Sequence, residues 1–248
     1  LLAEWHVGDA PEARWGTSTF FALALMMQSF ALFVFMASDI LLFYVAFEAT
    51  LIPTYFLIGG FGGPRRGAAA MKFLLYSLAG GLVMLVAVAG VYAVTAEAGS
   101  PSFLINDLVG AEMSTDMGRW LFLGFFIAFA VKAPMAGLHT WLPDTAEQAT
   151  PGTSTLLVGV LDKIGTFGML KICLTAFPEA TQWATPVILV WAIVSVLYGA
   201  FMAFGATDLL RLVSYTSISH FGFMVLGIFA LTTPSISGSI FYMLNHGL

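Results

Sequence analysis

Runs of about 18 or more apolar residues follow one another along this chain with short turns between them. A helix needs roughly 20 such residues to cross the hydrocarbon of a bilayer. That pattern overrides the one or two soluble domains that 248 residues would otherwise suit. Composition agrees, with 59% apolar and 9% charged residues, where a soluble domain is charged at about a quarter of its positions. The formal charge of −5 argues against nucleic acid as a partner. The single cysteine, Cys173, sits in an apolar run and reads as a small buried residue. One cysteine supplies neither an internal disulfide, nor a Cys-ligated zinc site, nor an iron–sulfur cluster.

The expected fold class is all-α, a polytopic transmembrane bundle. Eight segments are predicted, near 17–37, 40–61, 72–95, 119–136, 153–177, 186–205, 209–231 and 237 onward. Residues 1–16 read as a polar surface segment. The chain begins at Leu1 without methionine and stops about a dozen residues into its last apolar segment, short of the ~20 needed to cross; further sequence is expected at both ends. Basic residues favour the cytoplasmic side. Placing the loop 62–71 (GGPRRGAAAM) there puts Arg14, Arg65, Arg66, Lys72 and Arg211 inside. Arg119, Lys171 and the acidic loop 96–118 then lie toward the outside.

The stretch 119–151 breaks the pattern. Its apolar helix passes Lys132, meets Pro134 and runs into GLHTWLPDTAEQATPG, with two more prolines. Proline removes a backbone donor and clashes with the preceding turn. A broken helix is therefore predicted, with a short amphipathic second part. Irregular backbone at membrane depth is tolerated only where protein or a water-filled cavity surrounds it. A break beside an ionisable residue is the pattern of a transport site.

Five ionisable residues on five segments fall at similar depth. At 1.5 Å per residue, Glu48 lies about 14 Å and Lys132 about 20 Å from the outer face. Lys163 and His220 lie about 15 Å and 16 Å from the inner face, and His246 about 14 Å from the outer one. All sit near the middle of a ~30 Å core, where charge is costly. Singly, each has a plain structural reading: Glu48 pairing two helices, Lys132 snorkelling, the histidines as satisfied core residues. Together they form what a proton relay needs, since lysine releases a proton when desolvated and histidine titrates near neutrality. His139 and Asp144 lie at the break, with loop-fixing and functional readings both open. Asp162 adjoins Lys163, although neighbouring helical residues do not face each other. His6 reads as a solvated terminal residue. The scattered histidines suggest no metal site. Phosphate-cradling and nucleophile motifs are absent; GGFGG at 59–63 reads as a flexible helix end.

Four stretches, FEATLIPTYFLIG (47–59), AVKAPMAGLHTWLPDTAEQ (130–148), LLVGVLDKIGTFGMLK (156–171) and DLLRLVSYTSISHFGFMVLGI (208–228), resemble the antiporter-like membrane subunits of respiratory complex I. Within that family they are most similar to the M-type chains. The resemblance implies inverted five-helix repeats, each with a broken helix: residues 17–177 as the first and 178–248 as the start of the second. It implies that Glu48 pairs with Lys132, that Lys163 sits at the channel centre, and that His220 and His246 continue the polar axis. It implies L and N paralogues as neighbours, and flavin mononucleotide, iron–sulfur clusters and quinone in partner subunits. The expected location is the bacterial inner membrane, or the mitochondrial inner membrane in a eukaryote. A multi-subunit Na⁺/H⁺ antiporter or a membrane-bound hydrogenase is the alternative, and a scaffold whose charges only pack helices is a third reading. Two departures stand out: Ala146 occupies a place where the family's loop often carries histidine, and Asp162 one where an apolar residue is usual.

Overall fold

The apolar runs become helices in the computed structural model, which describes residues 4–11, 13–109 and 111–247. The long ones are α1 (Thr17–Met36), α2 (Ile40–Ala49) continued by α3 (Leu51–Phe61), α4 (Arg66–Glu97), α6 (Thr115–Lys132), α11 (Pro178–Phe204), α12 (Leu209–Phe229) and α13 (Thr233–Gly247). Shorter ones are α5 (Ile105–Leu108), α7 (Trp141–Gln148), α8 (Pro151–Leu156), α9 (Lys163–Gly168) and α10 (Leu174–Ala176). Among the described residues no strand forms; a single antiparallel bridge joins Asp39 and Leu104. Several helices start where a side chain accepts from a free N–H of the first turn: Asp39 from Leu42, Ser114 from Met117, Thr150 from Thr153 and Asp208 from Arg211.

Five helices, α1, α2–α3, α4, α11 and α12, are long and apolar enough to span a membrane. Their outward faces expose Leu25, Phe33, Leu75, Val86, Val187 and Phe201, surface that lipid accepts and water does not. The helix α6 falls outside that count because it carries Asp116, Arg119 and Lys132. It is nevertheless central, with Phe122, Phe125, Phe126 and Phe129 buried against α4, α9 and α11.

Several boundaries depart from the sequence reading. The predicted helix 40–61 divides at Thr50, because Pro53 has no N–H for the Ala49 carbonyl. The predicted helix 153–177 is a rod from α8 to α10 interrupted by two wide turns, Leu157–Leu161 and Met169–Cys173. The helix α11 starts at Pro178, eight residues before the predicted 186, and carries Pro186 inside it. Its first turns are polar, so hydropathy alone misplaced its start. Among the described residues before α1, Val7 and Glu4 are buried, and the Glu4 carboxylate accepts from the Gly152 N–H at the start of α8. The loop 96–118 is anchored where Ile40 N–H donates to Phe103 O (2.8 Å) and Ile105 N–H to Ser38 O (3.0 Å).

Candidate functional site

The helix break is held by hydrogen-bond partners from other segments of the fold. The helix α6 stops at Lys132, and Pro134 cannot donate to Ala130 O, which takes the Met135 N–H instead (3.1 Å). The Val131 carbonyl accepts from Trp141 Nε1 (3.1 Å). Ala136 is held at both ends by α11: its N–H donates to Ser195 Oγ (2.9 Å) and its carbonyl accepts from Trp191 Nε1 (2.7 Å). Gly137 takes a φ of +93°, which side-chain-bearing residues rarely adopt, and donates to His139 Nδ1 (3.0 Å). The buried His139 ring also packs on Tyr198, 4.8 Å between centroids. His139 thus fixes the turn and stands apart from the buried charges.

Lys132 and the carboxylates of Glu48 and Asp162 form one group. Lys132 is 1% exposed, and no protein group hydrogen-bonds its Nζ. The Nζ lies 5.3 Å from the ring centroids of both Phe47 and Phe73, within reach of their negative faces. As the last residue of α6 it also meets the negative end of that helix's dipole. Glu48 lies in the last turn of α2, before the Thr50 division, and its Oε1 is buried without a partner. Its carboxylate occupies the space that a Cβ at Gly81 would need. Asp162 is 0% exposed, with neither carboxylate oxygen hydrogen-bonded by protein. The charges of Asp162 and Glu48 both reach Lys132, and that of Asp162 also reaches Lys163.

Lys163 begins a second, contiguous group. Its Nζ donates to Val158 O (2.7 Å) and lies 2.5 Å from His246 Nδ1 and 5.1 Å from the Phe221 ring centroid. The rings of His246 and His220 are 5.1 Å apart. His246 therefore stands between Lys163 and His220, an order that sequence position does not reveal. A cleft of about 400 Å³ reaches this pair; its walls include Ala146, Ser154, Ser217, His220 and His246.

Asp144 belongs to another assembly. It lies in α7 and pairs with Lys72 (2.6 Å) and Arg211 (3.1 Å). Glu147 pairs with Arg211 (2.7 Å) and with Arg65. Burial alone would raise the Asp144 carboxyl, yet the Lys72 and Arg211 contacts hold it below the usual carboxylate range. Hydrogen bonding from Arg211, aided by Arg65, does the same for Glu147 against its slight burial. This network ties α7 to α4 and α12. It collects three of the basic residues assigned to the inner face, Arg65, Lys72 and Arg211, at one end of the bundle. Sequence reasoning found Asp144 but not Glu147 or these pairings, which join residues 64 to 82 positions apart. Gly81, Trp141, Trp191 and Ser195 also escaped it, because each acts on a distant segment. Among the described residues no group of three or more His, Cys, Asp or Glu is placed to hold a metal.

A helical membrane bundle with a helix broken beside buried lysines and carboxylates defines an antiporter-like membrane subunit. Residues 37–248 match the family described as NADH:quinone oxidoreductase/Mrp antiporter, TM, and the chain belongs to that family. It is 52% identical over 240 residues to NADH-quinone oxidoreductase subunit M of Mycobacterium tuberculosis (strain CDC 1551 / Oshkosh), covering 94% of this chain and 43% of that one. It superposes on a chain of respiratory complex I from Thermus thermophilus with bound NADH at a TM-score of 0.86 and 37% identity, over 92% of this chain and 48% of that one. It shares its fold with a chain of the Mrp complex from Dietzia sp. DQ12-45-1b (TM-score 0.81, 21% identity, 91% and 42% covered). The chain spans about half the length of the curated relatives it matches. The expected family and the all-α membrane fold are thus borne out.

Proposed function

We propose that this chain belongs to a proton-translocating membrane subunit of an NADH:quinone oxidoreductase, itself without redox chemistry. The observation that carries the reading is the row Glu48, Lys132, Asp162, Lys163, His246 and His220, of which Lys132, Asp162 and Lys163 are buried and the others half-buried. Four of its polar atoms, Glu48 Oε1, Lys132 Nζ and both Asp162 oxygens, are sealed from solvent and lack a protein partner. A buried polar atom without a hydrogen bond costs about 1–3 kcal/mol, more for a charge. A purely structural role would not select such an arrangement, whereas bridging water and movable protons satisfy it.

In this reading Lys132 is a protonation switch. With Glu48 close, Lys132 keeps its proton; with Glu48 withdrawn, the proton passes toward Lys163 and on to His246 and His220. Pro134 opens the helix so that backbone dipoles face the lysine. His139 and Asp144 hold the second part of the broken helix in place. Residues 17–177 form the first five-helix repeat and 178–248 the start of the second. L and N paralogues adjoin the subunit in a bacterial inner membrane, or its counterparts in the mitochondrial one. Partner subunits carry the flavin, the iron–sulfur clusters and the quinone; one cysteine, Cys173, cannot supply the thiolates of a cluster here. The fold shared with the Mrp complex supports a second reading, a subunit of a Na⁺/H⁺ antiporter.

The test is NADH-driven proton uptake in inverted membrane vesicles, wild type against Lys132→Met, with assembly checked by native gel. Loss of uptake in an assembled complex is the expected result. Undiminished uptake would sink the switch, and NADH-independent Na⁺/H⁺ exchange would then be measured for the antiporter reading.

A further inference from the structure

The two lysines of the row stand on different helices, and Asp162 lies on the face between them. The phase of α9 shows this. Asp162 and Gly165 are three apart, so they share one side of the helix. That side abuts the broken end of α6: a Cβ at Gly165 would lie 2.6 Å from Phe129 O and 2.7 Å from Ala133 N, and Gly168 rests on the Phe129 ring. Asp162 therefore faces the end of α6 where Lys132 sits. Lys163, one residue on, is turned about 100° away, toward Val158 O, His246 and Phe221. The wide turn Leu157–Leu161, closed by Asp162 N–H to Leu157 O (3.0 Å), sets this phase.

A carboxylate in this position has no structural partner. It is 0% exposed, neither oxygen accepts a hydrogen bond from protein, and the charged groups that reach it are the two lysines. Retaining a buried carboxylate on these terms is expensive. Its chemistry, however, fits a proton carrier. We propose that Asp162 is the intermediate proton acceptor and donor between Lys132 and Lys163. This inference rests on the relay reading of the row.

The step balances as proton transfer alone. The Lys132 ammonium gives its proton to the Asp162 carboxylate, leaving a neutral amine and a neutral carboxylic acid. The acid then gives the proton to a neutral Lys163 amine, restoring the carboxylate and forming an ammonium. In the first transfer opposite charges cancel, so no lone charge is created in the low-dielectric interior. A direct lysine-to-lysine transfer would instead carry an unbalanced positive charge across the gap.

The test compares Asp162→Asn, which keeps the shape but cannot carry a proton, with Asp162→Glu, which can. NADH-driven proton uptake per NADH oxidised is measured in inverted vesicles holding the assembled complex, beside Lys132→Met. The expected result is at least a several-fold loss of uptake in Asp162→Asn, with recovery in Asp162→Glu. Normal uptake in Asp162→Asn while Lys132→Met has lost it would overturn the carrier role and leave the relay standing. Normal uptake in both would overturn the relay and this inference together. If Asp162→Asn fails to assemble, Asp162→Glu carries the test through infrared difference spectra on turnover. A carboxylic C=O band that moves on the aspartate-to-glutamate change supports the carrier; spectra unchanged by it overturn the carrier.

Discussion

The Ser195→Ala substitution tests how the break after Lys132 is held open. Ser195 is fully buried, and its hydroxyl accepts the Ala136 N–H at 2.9 Å. The substitution removes one oxygen, adds no bulk and leaves the Ala136 N–H facing an apolar helix. An orphaned neutral donor costs about 1–3 kcal/mol. Ala136 is half-buried, so water offsets part of this, and Trp191 still grips the Ala136 carbonyl. The lower range, about 1–2 kcal/mol, is expected, which corresponds to local opening roughly 5- to 30-fold more frequent. Hydrogen–deuterium exchange followed by mass spectrometry reads this directly at peptides covering 133–140 in the assembled complex. Faster exchange there, with α4 unchanged, is the expected pattern. Protection in 133–140 equal to wild type would refute the argument that α11 side chains hold the break.

Other consequences are equally open to measurement. Gly81→Ala places a methyl where the Glu48 carboxylate lies, an overpacking that costs about 1–3 kcal/mol. Proton uptake in the assembled variant should fall toward the level of Glu48→Gln, and uptake equal to wild type would show that Glu48 needs no such seat. The network of Asp144 and Glu147 is expected to loosen in acid. Both carboxyls are held below their ordinary values of 3.8 and 4.5, so their stabilisation is complete above those values and fades as pH falls through the lower folded ones. Proteolysis of the loop 62–65 should therefore accelerate on acidification in wild type. An Asp144→Asn, Glu147→Gln double variant should already be labile near neutrality and show little further change. Equal acid dependence in both would dissociate the loop's hold from these carboxylates.

The membrane class and the helix break at Pro134 were legible in the chain because each rests on local cost. A lysine or proline in an apolar run is anomalous whatever surrounds it. Element boundaries were less legible where the sequence departs from uniform hydropathy. The polar first turns of α11 hid its start, and Pro53 divided a helix that apolar content alone would continue. Asp144 was visible as a loop acid, but its place in α7 and its partners were not.

What the sequence alone determined was which residues are out of place in a membrane, since depth and burial cost follow from chain position and residue type. Tertiary structure decided which of them meet. It set Asp162 against the end of α6 and Lys163 against His246, because one helical step turns a side chain by about 100° and only packing says what lies in each direction. It also supplied the groups that make the break tolerable, Trp141, Trp191 and Ser195, from segments up to 59 residues away. A freed backbone group in a low-dielectric interior must be paired, and the partner it finds is a property of the assembled fold.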